Sequence, residues 1–442
     1  MILYNYIIEY FRKRLSKSLF FRLHAWAGII FGPFLYVICL SGSFAVISNE
    51  IDWLFNPKIR SQPGKMNWDL VFNKFNERYP NHELTTVRAP RHNGFAAQSY
   101  AKSENGKTLK VYSNPVTGEV QSLENFWNTQ RFFRSFHRRF FILPSKIGIL
   151  FVSLYSIPLI ILVVLGLRVQ GTKILKLIYS LRKIMTQKKL YSNYHLLLSN
   201  WSWIFAVVIS LTGIWYGVEV FKPASSMKDN EASYLKYEIK HYDQIAKKIN
   251  FLCGLSSDII DRFKVNSIRF DTKSDLITIE GKTSGLGVFF RPRANRVTFE
   301  LKSGKLVNVY KSSDDSAHKI LSDIADPIHF GYWGGLTTQV IWFILGLILS
   351  IAIIFGLLLS IKRISAKYHP SKYSFTFSIL MLLVVLGYSA HGGFIEYNRN
   401  VDAAVILPRM YIFIIICCFA AILAFSLFIL LKSIHSTLYK NR

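Results

Sequence analysis

Four histidines occupy positions where an imidazole is costly unless it serves a purpose. His24 and His195 each open a long apolar run, and each is followed eighteen residues later by a glycine, in Ser41-Gly42 and in Thr212-Gly213. At about 3.6 residues per turn this spacing is about five turns, so each histidine shares a helix face with its glycine. The face between them carries Gly28 and lies near Gly32 in the first run, and carries Ser199, Ser202 and Ala206 in the second. Small residues there let a second helix or a flat ligand approach the backbone. The other two histidines, in Phe136-His137-Arg138-Arg139 and Ile328-His329-Phe330-Gly331, each stand shortly before a further apolar run. An ionisable side chain on an apolar membrane helix is expensive and by default marks function. Neutral imidazole is a good ligand for haem iron, and two of them leave the iron suited to electron transfer. His24 with His195 is therefore expected to clamp one haem b, and His137 with His329 a second. His391, in Ser389-Ala390-His391-Gly392-Gly393, competes for the second site. The plainer reading of any one of these is an interfacial histidine bonded to headgroups or backbone; repetition in the same order argues against it for four.

The elements that must position them follow from hydropathy. Hydrophobic residues make up 51% of the 442 positions, and they cluster into six runs of about the 20 residues that a bilayer core requires. These are 23–47, 147–169, 196–220, 340–361, 373–388 and 408–431. Lys and Arg concentrate in 1–22, in the connection 170–195 and in 362–372, which predicts cytoplasmic termini, a cytoplasmic tail 432–442 and a multi-pass protein of the cytoplasmic membrane. Two long segments, 48–146 and 221–339, and a short loop 389–407 then fall on the outer side. Much of the formal charge of +28 sits in the cytoplasmic flanks, where topology and the lipid bilayer explain it and nucleic acid need not. Arg22 is a candidate contact for the propionates of the inner haem and Arg138 for those of the outer one.

Each long outer segment reads as a helix followed by hairpin strands. Trp68 to Tyr79 and Tyr242 to Phe251 are helix-like, while Val111 to Val120 and Val297 to Val307 read as strand, turn, strand, with Asn114-Pro115 and Thr117-Gly118 marking the first turn. The expected fold is an α-helical membrane bundle of six spans, the first four as a parallel tandem repeat, with two small α+β periplasmic domains. Only Cys253 of the four cysteines lies in an outer segment, so those domains have no internal disulfide framework. No dinucleotide or P-loop fingerprint and no Cys/His cluster with zinc or iron–sulfur spacing is present. Electrons must therefore come from a cytoplasmic partner or from quinol.

The chain resembles the PepSY-associated transmembrane proteins, which include periplasmic ferric-siderophore reductases and iron-regulated membrane proteins. The residues that carry the resemblance are Leu23-His24-x-Trp26-x-Gly28 with Ser41-Gly42, Phe136-His137-Arg138, Thr117-Gly118-Glu119-Val120 and Thr212-Gly213, within roughly 21–363. The resemblance implies a haem-containing reductase that passes single electrons across the membrane to a periplasmic ferric siderophore or ferric chelate and releases ferrous iron. The alternatives are an electron conduit for another acceptor and a non-enzymatic membrane-anchored PepSY binding or inhibitory protein.

Overall fold

In hydrocarbon every backbone polar group must be satisfied within its own segment, so long apolar runs fold as helices. The computed structural model describes residues 17–170, 187–223, 249–271, 274–364, 370–402 and 409–439. In chain order these form α1 (Lys17–Phe55), α2 (Trp68–Arg78), β1 (Glu83–Arg88), β2 (Ala97–Lys102), β3 (Thr108–Ser113), β4 (Val120–Asn125), α3 (Thr129–Arg139), α4 (Ser145–Leu154), α5 (Ser156–Gln170) and α6 (Gln187–Phe221). Then follow α7 (Ile249–Ile259), β5 (Phe263–Asp271), β6 (Leu276–Thr283), β7 (Asn295–Glu300), β8 (Leu306–Tyr310), α8 (Ala317–Phe330), α9 (Gly335–Ile364), α10 (Pro370–Asn400) and α11 (Met410–Tyr439).

Among the described residues six stretches are long and apolar enough to cross a membrane: Leu19–Val46, Ser145–Gln170, Leu190–Phe221, Tyr332–Lys362, Tyr373–Asn400 and Met410–Ser436. The protein is therefore a multi-pass membrane protein. The second stretch is two helices, α4 and α5, broken at Tyr155. The fifth departs from the sequence expectation, because α10 continues to Asn400 through most of what reads as a loop at 389–407. The polar residues there are satisfied by neighbours: Glu396 is buried and ion-paired to Arg131 at 2.8 Å and to Arg139. Most of the expected cytoplasmic segments, and 242–248 of the second expected outer helix, lie outside the described residues.

The strands of the two outer segments join in one antiparallel sheet, ordered β4-β3-β2-β1-β5-β6-β7-β8. Its two halves join at β1 and β5, where Val87 pairs with Ile268 and Arg88 with Ser267. Side chains alternate between faces along a strand. One face buries Val87, Ile268, Ile277, Val297 and Phe299 beneath Val71 and Phe75 of α2 and Leu252 of α7. In the first hairpin turn Asn114 Oδ1 accepts from the Val116 and Thr117 N–H groups. Gly118 has φ +77°, and a Cβ there would collide with the Leu70 backbone, so the turn needs glycine on both counts.

Packing around α1 organises the membrane helices. A Cβ at Gly32 would meet Leu357 of α9 at 2.8 Å, and one at Gly346 would strike Ser43. Close crossing of α1 and α9 thus depends on missing side chains. The helices α10 and α11 are tied to α1 and to the first half of the sheet: Tyr36 bonds Ser426 at 2.7 Å, Arg409 bonds Glu124 at 2.7 Å, Tyr411 donates to Asp52 at 3.0 Å and Ser103 to Asp402 at 2.7 Å.

Candidate functional site

Two short amphipathic helices carry the sheet-side histidines into the bundle. The helix α3 starts at Asn128, whose Oδ1 accepts from the Arg131 N–H, and buries Phe133 and Phe136. His137 lies in its last turn. The helix α8 starts at Ser316, ends on Gly331 with φ +69°, and carries His329 in its last turn. The remaining two histidines stand on membrane helices, His24 on α1 and His195 on α6.

The four form two pairs. The ring centroids of His24 and His195 are 6.1 Å apart, and those of His137 and His329 are 6.2 Å apart. Two imidazoles on opposite faces of one metal, with bonds of about 2.0–2.1 Å and about 1.1 Å from ring nitrogen to ring centre, would have centroids about 6.2–6.4 Å apart. In all four rings Nδ1 has an acceptor: Leu162 O at 3.1 Å for His24, Ala352 O at 2.8 Å for His195, Ile38 O at 3.0 Å for His137 and Thr212 Oγ1 at 2.8 Å for His329. The Thr212 hydroxyl itself donates to Val208 O at 2.8 Å, so it accepts from His329. A donating Nδ1 fixes the tautomer in which Nε2 bears the lone pair, which is the usual support for a metal-bound histidine. Burial lowers His137 to about 4 and His329 to about 3, so both imidazoles are neutral near pH 7.

Each pair opens on a cavity. The far-side cavity, about 370 Å³, is lined by His24 and His195 together with Gly28, Gly32, Gly166 and Gly356, and lies within the range of about 300–1,000 Å³ usual for cofactor sites. The sheet-side cavity, about 210 Å³ and so below that range, is lined by His137 and His329 with Gly42, Gly213, Gly346 and a group of arginines. Leu35 and Leu159 line both, and with Phe205, Ala206 and Leu349 they form an apolar layer between the two. Along α1, the fourteen residues from His24 to Ile38, the acceptor for His137, span about 21 Å.

Glycine is what brings helix backbones beside these rings. A Cβ at Gly42 would sit 2.7 Å from His137 Cε1, one at Gly356 2.9 Å from His195 Cε1, and one at Gly166 3.4 Å from His24 Cε1. Among the described residues no group of three or more His, Cys, Asp or Glu is placed to hold a metal ion. Two imidazoles alone make a poor site for a bare ion, whereas a porphyrin supplies the in-plane ligands itself and asks the protein for two axial ones. The donor chemistry, spacing, tautomers and cradle all fit a haem at each pair.

The remaining candidates divide. Arg138 lines the sheet-side cavity together with Arg134, Arg291 and Arg293. Arg22 is exposed and does not line the far-side cavity, whose polar groups among the described residues are neutral, Gln170 and Asn200 included. His391 is also exposed and lines neither cavity; the neighbouring Gly392 and Gly393 pack on Phe141. Sequence reasoning missed Arg291 and Arg293, in the loop before β7, and Tyr216, whose ring lies 5.2 Å from that of His329 and whose hydroxyl donates to Asp326 at 2.7 Å.

The family model described as PepSY-associated TM region matches residues 21–363, a stretch that includes both histidine pairs and ends before α10. No curated protein matches the chain.

Proposed function

The chain belongs to the PepSY-associated transmembrane family, and from that premise we propose that it is a haem-bearing reductase of the bacterial cytoplasmic membrane, passing single electrons outward to a ferric siderophore or similar ferric chelate. The observation that carries the reading is the pair of histidine separations, 6.1 and 6.2 Å, each matching two imidazoles on one iron. The four Nδ1 hydrogen bonds support it independently. In this reading the sheet is periplasmic and both termini are cytoplasmic, in keeping with exposed Arg22 and Arg168 at the far-side end. When bound, a bis-imidazole haem b supplies one-electron transfer with no open coordination position.

The chain's own residues do the rest. His24 with His195, and His137 with His329, hold the two groups in register; Leu35, Leu159 and Phe205 keep water from the layer between them. Arg134 and Arg138, at the sheet-side cavity, satisfy propionates and draw an anionic chelate toward that end. One electron converts ferric to ferrous iron, and the lower charge weakens its hold on hard oxygen ligands, so the chelate releases it. The donor is a cytoplasmic reductase or quinol.

The test is anaerobic: purified protein is reduced with a stoichiometric reductant and mixed with defined ferric chelates while the haem bands are followed and ferrous iron is trapped by a chromogenic chelator. One ferrous ion per electron lost supports the reading. Haems that no ferric chelate reoxidises would exclude a ferric-chelate reductase and leave a conduit to another acceptor.

A further inference from the structure

The two cavities are alike in their histidines and unlike in their charge. Among the described residues no Asp, Glu, Lys or Arg lines the far-side cavity. The sheet-side cavity is lined by Arg134, Arg138, Arg291 and Arg293 against Glu219 and Asp326. Asp326 is engaged by Arg291 at 2.8 Å and by the Tyr216 hydroxyl at 2.7 Å, so three guanidinium groups face one remaining carboxylate. Among the described residues Arg134 and Arg138 make no ion pair; Arg134 lies over the Phe330 ring, 5.5 Å from its centre. The histidine partners differ in the same sense. Both far-side rings donate to backbone carbonyls, whereas on the sheet side His329 donates to a hydroxyl, a weaker acceptor that leaves the imidazole less electron-rich.

Resting on the two-haem reading, we infer that this asymmetry biases electron occupancy toward the sheet side: an electron is held more tightly at the His137–His329 site than at the His24–His195 site. Reduction adds one negative charge, which nearby cations stabilise. At about 10 Å and an effective dielectric of about 20, each unit charge biases a one-electron equilibrium roughly ten- to twentyfold. The sheet-side arginines can also offset a haem's own propionates, while the far-side lining among the described residues offers only neutral donors, Arg22 and Arg168 at that end being exposed and outside it. After discounting for the solvent exposure of Arg134 and Arg138, the expected bias is at least about tenfold, which for one electron is about 59 mV. Besides drawing an anionic chelate, Arg134 and Arg138 thus tune the site beside them.

The experiment is a spectroscopic redox titration of the full-length protein in detergent, with haem content measured on the same samples. The expected result is two midpoints, the higher one absent in His137→Ala and the lower one absent in His24→Ala. The double variant R134Q/R138Q lowers only the higher midpoint by a tenfold bias or more, and R134K/R138K leaves it in place, which separates charge from fold. Two haems with coincident or reversed midpoints, or a higher midpoint that ignores the glutamine variants, would overturn the inference and leave the haem reading standing. Folded protein without haem would overturn both.

Discussion

Gly42→Ala is a small change with a large expected consequence. The added Cβ would lie 2.7 Å from Cε1, 3.1 Å from Nδ1 and 3.3 Å from Nε2 of His137. Carbon atoms pack best at about 3.5–4.0 Å, so the ring must retreat by about 1 Å. It cannot do so freely, because its Nδ1 bond, 3.0 Å to Ile38 O, is anchored one turn back on the same helix. A metal–ligand bond tolerates only about ±0.2 Å, so the ring cannot stay at ligating distance while its bond to Ile38 is kept. Overpacking of this kind costs about 1–3 kcal/mol, or five- to more than a hundredfold in affinity at about 1.4 kcal/mol per decade. Gly356→Ala imposes the same clash on His195, at 2.9 Å. A pyridine haemochrome assay on purified variants should find about one haem per chain in each, with the haem surviving in Gly42→Ala being the one that His24→Ala removes. Gly387→Ala, where an added Cβ meets nothing within 4 Å, should keep the full complement. If both clash variants carried two haems with unaltered spectra, the argument that these glycines seat ligand rings would be wrong.

Three further outcomes follow from the packing. Glu396→Ala strips the carboxylate from Arg131, Arg139 and Ser135 on α3, and should cost about 3–5 kcal/mol, read as a lowered thermal midpoint in detergent. Ile268→Ala, at the β1–β5 seam and 1% exposed, should cost about 2–5 kcal/mol and increase hydrogen exchange in both halves of the sheet, not only in the second. Burial lowers Lys110 from 10.5 to about 8. Between those values the native chain has shed a proton that the unfolded chain keeps, so stability should rise with pH across that window by on the order of 3 kcal/mol; Lys110→Met should abolish that slope in pH-dependent denaturation.

His24 and His195 were legible because a helix repeats at 3.6 residues, so each keeps its face over the eighteen residues to Gly42 or Gly213, and His137 and His329 because each stands shortly before a further apolar run in the same order. Gly28 and the nearby Gly32, read with one helix face, and Ser199, Ser202 and Ala206, read on a second, all line the far-side cavity. The single sheet was not legible, since β1 and β5 are joined by pairings such as Val87 with Ile268 that leave no local trace in either segment. Of the arginines on α3 the sequence reading singled out Arg138 alone as a propionate contact. Residues four apart share a helix face: Arg134 and Arg138 line the cavity, while Arg131, Ser135 and Arg139 meet Glu396. Glu396 also explains why α10 outruns its hydropathy, as polarity ends an apolar run in sequence but not a helix whose carboxylate is paired. Arg291 and Arg293 sit in a loop with no periodicity to expose them.

The most direct measurement is the haem stoichiometry and oxidised and reduced absorption spectrum of the purified full-length protein, alongside His24→Ala and His137→Ala. About two low-spin b-type haems per chain are expected, with each variant losing a different one. Correctly folded protein that binds no haem would contradict the two-haem reading.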